Sequence, residues 1–346
     1  MFEVVVTLCL VGADTCRDVL LPGYEAAEIQ ACETRLAAVP AELGPFADYD
    51  LRAAPRCVAQ GAALEFAEAA PGVFVHRGMI AEPTAGNGGD VANIAFVIGA
   101  ESVAVIDSGS ARWIGESVWR AIRARTDLPV SHLVLTHMHP DHVLGASLFA
   151  QADTIIVGHA GLERALADRR DNYLESLQGL IGDAAFIGTD TVRVHQPVSD
   201  PVEIDLGGRR IALHAWAPAH TGTDLTAQDL DSGLLFTGDL VFDVHTPALD
   251  GSVVGWQSVL AEMAALPVSQ VMPGHGGPLL EWPQGSEPMQ RYLEVLAADT
   301  RAAIAAGQRL GNAVQEIARS EATRWQLFDA YNARNATVAF TELEWE

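Results

Sequence analysis

Val134-Leu135-Thr136-His137-Met138-His139-Pro140-Asp141-His142 places three imidazoles and a carboxylate within six residues, directly after an apolar run. That composition is a metal site's: neutral nitrogen and anionic oxygen donors at an ordered spacing, where a solvated histidine-rich loop is the bland alternative. Val130 to Thr136 reads as a buried strand. If the extended trace continues, its period of two sends His137 and His139 toward the same side. Pro140 then stops the extended chain, and Asp141 and His142 open an amphipathic stretch (Val143, Leu144, Ala146, Leu148, Phe149) that predicts a helix over 141–150. The change of direction aims the second pair elsewhere, so one turn can feed two metal positions, about 3.5–4 Å apart in two-metal hydrolytic sites.

Further ligands must come from later strand ends, and three stretches offer them. Ile211 to Trp216 runs out through Ala217-Pro218-Ala219 into His220-Thr221-Gly222-Thr223-Asp224. Leu234-Leu235-Phe236-Thr237-Gly238-Asp239 is a strand ending in a carboxylate, and Gln270-Val271-Met272-Pro273-Gly274-His275 is another, with glycines that permit close backbone approach.

Together His137, His139, Asp141, His142, His220, Asp239 and His275 resemble the complete ligand set of the metallo-β-lactamase superfamily, over roughly residues 72–280. The resemblance implies an α/β fold, an αββα sandwich with the site at one edge. It also implies that His137, His139 and His220 hold one metal, Asp141, His142 and His275 a second, and that Asp239 bridges them. Two zinc ions are the expected cofactor, and the oxygen-rich ligation also suits iron or manganese. One branch of true β-lactamases uses a cysteine ligand that is absent here, which argues against antibiotic hydrolysis. A narrower resemblance is carried by the Cys-bearing N-terminal extension, by His245-Thr246-Pro247-Ala248-Leu249-Asp250-Gly251-Ser252 with Gly255-Trp256, and by the ending Glu342-Leu343-Glu344-Trp345-Glu346. These are similar to SoxH-related zinc metallohydrolases of bacterial quinoprotein (PQQ) dehydrogenase systems, which implies a periplasmic protein with a quinoprotein dehydrogenase as partner.

Composition narrows the function classes. With 346 residues and 49% hydrophobic content the chain can bury one large core plus a small satellite. No apolar run reaches the roughly 18–20 residues of a membrane span. The 21 basic residues, all arginine, stand against 45 acidic ones for a net charge of −24, so nucleic acid is excluded as a partner and a small-molecule substrate is expected. Arg169-Arg170 and Arg209-Arg210 read as solvated faces rather than anion-binding patches. Without lysine, neutral or weakly charged esters, thioesters and lactones are favoured over polyphosphates.

All four cysteines, Cys9, Cys16, Cys32 and Cys57, lie in the first 57 residues, far from the metal motifs. An even count without a Cys-x-x-Cys pair predicts two disulfides and a periplasmic or secreted location, with a leader removed ahead of Met1. Of the three possible pairings, Cys16–Cys32 with Cys9–Cys57 is favoured.

Three regions follow: a Cys-containing α/β cap over 1–70, the core over 71–283, and a helical extension over 284–346 packing on it. In the cap, 2–10 alternates as a strand, Tyr24–Ala37 predicts a helix, and Pro40–Pro55 is loop-rich. In the core, strands are expected near 73–76, 92–98, 102–106, 202–206, 210–216, 225–228 and 233–237, and helices near 113–125 and 256–265. The tail's aromatics are expected in the core.

Near the site, Asp107 ends an apolar strand, and the resemblance implies that it lies beneath the ligands, orienting an imidazole. His245, Asp250 and Asn93 are candidates for substrate contact, and the Thr84–Asp90 loop for a flap. His76, His132, His159, His195 and His214 are expected to be structural. The function expected is a binuclear metal-dependent hydrolase of an ester, thioester, lactone or strained amide, in which Asp141 binds the second metal and holds a nucleophilic water in line. Two alternatives are a mononuclear iron dioxygenase acting on a persulfide, through His137, His139, Asp239 and His220, and a non-enzymatic accessory of a quinoprotein dehydrogenase.

Overall fold

The computed structural model describes residues 1–346. A three-stranded antiparallel sheet comes first: β1 (Phe2–Leu10) lies between β2 (Cys16–Ala26) and β3 (Tyr49–Ala59), and α1 (Ile29–Ala38) packs on it. The helix expected over Tyr24–Ala37 starts later because Ala26 is still paired, opposite Phe2. The expected loop over Pro40–Pro55 is half strand. Pro55 is tolerated in β3 because β3 is an edge strand, paired only to β1 and irregular in register beside the proline.

The disulfides are Cys9–Cys16 and Cys32–Cys57, which overturns the favoured pairing. The register of the β1–β2 hairpin sets Cys9 directly opposite Cys16, with Cα atoms 4.0 Å apart. Cys32, buried on α1, is then left to reach Cys57 on β3.

The cap sheet ends at Ala59, and β4 (Ala67–Ala70) already pairs with β5 (Val73–His76), so the core begins before the expected boundary at residue 70. Five more strands complete a seven-stranded sheet: β6 (Ile94–Ile98), β7 (Val103–Ile106), β8 (Val130–Leu135), β9 (Ile155–His159) and β10 (Gln196–Val198). They lie in the order β10-β9-β8-β7-β6-β5-β4, parallel from β7 through β10. The second sheet runs in sequence order from β11 (Val202–Asp205) through β12 (Arg210–Ala215), β13 (Leu225–Asp229), β14 (Leu235–Phe242) and β15 (Gln270–His275) to β16 (Leu280–Glu281).

Strand periodicity explains the layers. In β6 and β7, Ala95, Val97, Ala104 and Ile106 face the second sheet, meeting Leu213, Ala227 and Phe236. Their neighbours Ile94, Phe96, Val103 and Val105 face outward onto helices. Covered on both faces, these strands must be apolar throughout. The outer helices of the first sheet are α2 (Arg112–Arg123), α3 (Pro140–Val143), α4 (Ala146–Phe149), α5 (Leu162–Ile181) and α6 (Asp183–Phe186). Those of the second are α7 (Val253–Ala264), α8 (Glu287–Ala305), α9 (Leu310–Ala313) and α10 (Phe328–Leu343). The result is an αββα sandwich, with the tail's Tyr292, Trp325, Phe328 and Phe340 in its second outer core.

The helix expected over 141–150 is broken at Gly145. There the chain crosses the 108–109 backbone so closely that a Cβ would meet Ser108 O, and Gly145 N–H donates to Gly109 O. The 20-residue helix α5 was not anticipated, and it proves to wall the site.

Candidate metal centre

Parallel strands β7 and β8 end side by side, and β14 and β15 end opposite them across the sandwich. The residues just past these ends therefore converge. His137 and His139 follow β8, His142 sits on α3, His220 follows β12, Asp239 lies within β14 and His275 ends β15. The potential ligand atoms of His137, His139, His220 and Asp239 all lie within 4.8 Å of one another, and those of Asp141, His142 and His275 do likewise.

Each of the five imidazoles has one ring nitrogen committed outward and the other turned inward. His137 Nδ1–H donates to Thr136 Oγ1 at 3.0 Å, His142 Nδ1–H to Asp107 Oδ2 at 2.8 Å, and His275 Nδ1–H to the Val91 carbonyl at 2.9 Å. His220 Nδ1–H donates to the Ala248 carbonyl, and His139 Nε2–H to Asp250 Oδ2 at 3.3 Å. This commits the outer nitrogens as donors and leaves Nε2 of four rings and Nδ1 of His139 facing inward, the atoms whose lone pairs a bound cation would take in place of a proton. The inward atoms crowd without proper partners: His220 Nε2 is 2.9 Å from His139 Nδ1, while buried His137 Nε2 and Asp239 Oδ1 have none. Donor atoms left unmatched in a buried cluster are what a cation would satisfy, so the residues fit a metal.

Asp239 joins the two groups. Its Oδ2 is 3.4 Å from Nε2 of both His220 and His275, and its Oδ1 is 3.2 Å from His142 Nε2. Gly274 makes room for it, since a Cβ there would overlap Asp239 Oδ1. Burial alone would raise the Asp239 pKa, but His275, His142 and His137 outweigh it and hold the carboxyl well below its ordinary range. Asp141, 3.3 Å from His275 Nε2, is also held low against burial, chiefly by His142 and His275. Burial pulls the histidines down. It prevails at His220, which falls to about 3, whereas Asp239 and Asp141 lift His275 to about 10.

Asp107 takes up a left-handed backbone conformation (φ 60°) just past β7. Its carboxylate accepts from Thr136 N and Thr136 Oγ1 at 2.8 Å each, as well as from His142. One buried carboxylate thus steadies His142 directly and His137 through Thr136.

A cavity of about 380 Å³ opens on this cluster, lined by His139, Asp141, Asp239 and His275. His245 and Asp250 line it too. His245 donates Nδ1–H to the Thr246 carbonyl, and burial with His275 nearby depresses it to about 4. Asp250 is shared between His139 and Arg169, whose Nη1 lies 2.7 Å away. Asn93, in contrast, is no substrate contact. It is buried and fully occupied, accepting from Gly78 N and donating to the Pro273 and Gly276 carbonyls, so it braces the His275 turn.

The paired arginines are likewise not simple solvated faces. Arg169 turns into the cavity, and Arg209 pairs at 2.6 Å with fully buried Asp229. Only Arg170 and Arg210 pair with carboxylates at the surface. His76, His132, His159, His195 and His214 stand outside the cavity lining. Leu177 of α5 and Tyr331, Arg334, Asn335 and Val338 of α10 complete the wall and had escaped notice in the sequence. Their spacing of 0, 3, 4 and 7 along α10 is the signal of one helix face, but nothing local says what that face meets.

The chain belongs to the metallo-beta-lactamase superfamily, whose profile matches residues 87–275, more than half its length. Acyl-coenzyme A thioesterase MBLAC2 of Homo sapiens is 32% identical over 188 residues, 49% of this chain and 62% of that protein. The chain thus spans less than two thirds of that relative. Among solved structures, a metallo-beta-lactamase from Pontibacter korlensis superposes with a TM-score of 0.55 at 18% identity, over 67% of this chain and 99% of the other. FIM-1 of Pseudomonas aeruginosa, in its mono-zinc form, gives 0.51 at 18% identity, over 68% and 97%. At that identity the likeness establishes the fold.

Proposed function

We propose that the protein is a two-metal hydrolase of carboxylic esters, with thioesters as the favoured class. The observation that carries this is the sharing of Asp239 between two adjoining donor groups, a geometry that suits two cations bridged by one carboxylate. Zinc fits the nitrogen-rich first group, and His142 and His275 give the second group enough imidazole to hold the same metal. When bound, such a pair supplies an acidified water and polarises a carbonyl. The chain's own contribution is orientation and proton handling. Asp141 faces the cavity as a carboxylate and can accept a proton from a water on the cluster, while the second nitrogens of the imidazoles are pinned so that their lone pairs do not wander. The identity with an acyl-coenzyme A thioesterase supports the thioester class.

Metal analysis with a thioester assay tests this. We expect two metals per chain, activity abolished by chelator, one metal lost selectively in His142→Ala, and kcat reduced about 10²–10⁴-fold in Asp141→Asn. One metal in a saturated sample with His142→Ala unchanged would remove the two-metal reading. β-Lactam turnover is expected to be slow or absent.

Two disulfides support residence in an oxidising compartment, periplasmic or outside the cell. Thiol titration of denatured, unreduced native protein is expected to find no free thiol, and four would overturn it. The association with a quinoprotein dehydrogenase belongs to the same proposal. In its support, the two segments behind that resemblance meet, as Glu342 accepts from Ser252 Oγ at 2.6 Å and from Val253 N at 2.7 Å.

A further inference from the structure

We infer that Arg334, on α10, forms an anion subsite that selects substrates carrying one negatively charged group beside an apolar body. The inference rests on the hydrolase reading above, deepening it to a substrate class. Arg334 lies outside the residues matched by the family profile.

Two arginines line the cavity, and their situations differ. Arg169 is neutralised, its Nη1 and Nη2 reaching the two Asp250 oxygens at 2.7 and 3.3 Å. Arg334 has no carboxylate within ion-pair distance and no hydrogen-bond partner in the protein. In a chain of net charge −24, a guanidinium left unpaired on the wall of the cavity that opens on the metal cluster is a placed charge. Its backbone is also held. Asn335, the next residue, is locked by Leu249 N, the Pro247 carbonyl and the Tyr292 hydroxyl, and Tyr331, one turn earlier, packs edge-on against His245 with ring centroids 4.8 Å apart.

Part of the wall is apolar, since Ala81, Pro83, Val91, Leu177, Leu249 and Val338 line the same cavity. A cavity of about 380 Å³ has room for a short acyl chain. Arg334 is itself exposed at the cavity mouth, and its planar guanidinium suits a carboxylate or phosphate by bidentate hydrogen bonding. The charge could sit on the acyl side or on the thiol side of the scissile bond.

Three thioesters separate these cases. They are S-hexanoyl mercaptoethanol (neutral), the adipic half-thioester of mercaptoethanol (acyl-side carboxylate) and S-hexanoyl 3-mercaptopropionate (thiol-side carboxylate). Hydrolysis by the metal-loaded protein is followed by thiol release, and binding of the matching non-hydrolysable thioethers by calorimetry. We expect one carboxylated compound to show a KM and a thioether Kd about 10-fold below those of the neutral compound. Arg334→Ala should erase that preference by weakening the carboxylated compound, and Arg334→Lys should keep part of it. Hydrolysis without a charge preference, or a preference unchanged in Arg334→Ala, overturns the subsite and leaves the hydrolase standing. Inert thioesters with a carboxylate preference in thioether binding that disappears in Arg334→Ala would do the reverse. No preference in either measurement overturns the subsite.

Discussion

At the scale of single residues, the centre is a problem in orienting imidazoles, and Asp107 is its most economical solution. The carboxylate accepts three hydrogen bonds, two of which reach separate donor groups, His142 directly and His137 by way of Thr136. Asp107→Asn keeps the shape but loses an acceptor oxygen, and its NH₂ faces donors. Outer partners of this kind are worth about 10–100-fold in metal affinity. We therefore expect Asp107→Asn to weaken metal binding by that factor in a competition with a calibrated chelator, and an unchanged affinity would mean that the imidazoles are held by packing alone.

Elements set the next scale, and two of them govern the site without supplying a ligand. The first is α10. Asn335 grips the 247–249 backbone, whose Ala248 carbonyl accepts from His220 and whose neighbour Asp250 accepts from His139. On the two-metal proposal, Asn335→Ala is expected to loosen both imidazoles and lower affinity for the metal they would hold about 10-fold, while a metal at His142 and His275 would be retained. Equal weakening of both metals in the same competition would refute the linkage. The second is the 77–93 segment, anchored where His76 Nε2 meets Asp90 Oδ1 at 2.8 Å. Burial opposes the imidazolium, but the hydrogen bond and charge of Asp90 prevail and raise its pKa above 6.5. A folded pKa above the unfolded one means this pair stabilises fully below pH 6.5 and is lost as pH rises through the folded value. His76→Gln should cost about 1 kcal/mol at pH 6 and less at pH 9, measured by urea unfolding. A cost that grows with pH would reverse the assignment.

For the whole molecule, a buried ion-pair network joins cap to core. Glu116, 1% exposed on α2, receives Arg17 from β2 at 2.7 and 3.0 Å, Arg112 at 3.2 Å and Leu20 N at 3.3 Å. Arg112 is as deeply buried and also donates to the Leu20 carbonyl, and Glu3 on β1 clamps Arg120 through both oxygens. Removing one partner of such a network strands the other charges, at about 3–5 kcal/mol. Glu116→Ala is expected to lower the free energy of unfolding by that amount without altering the metal stoichiometry. A loss under about 1 kcal/mol would show that apolar contacts alone hold the cap.

What the sequence determined by itself is a set of strands apolar throughout and seven ligand-type side chains at or just beyond the ends of hydrophobic runs, because that periodicity is local. The αββα class, the convergence of the seven and the place of Asp107 were implied by the family resemblance those residues carry. What only tertiary structure decided depends on elements distant in the chain. Cys9 meets Cys16 because a hairpin register, not spacing, makes them opposite. Asn93 is consumed by the backbone around Gly274, some 180 residues away. Arg169 became a cavity residue only when Asp250 came to face it, and α10, whose sequence announces an ordinary packing helix, turned one face to the site because the second sheet needed an outer layer there. A side chain's partners across the fold are set by packing free energy summed over the whole core, and no window of sequence carries that sum.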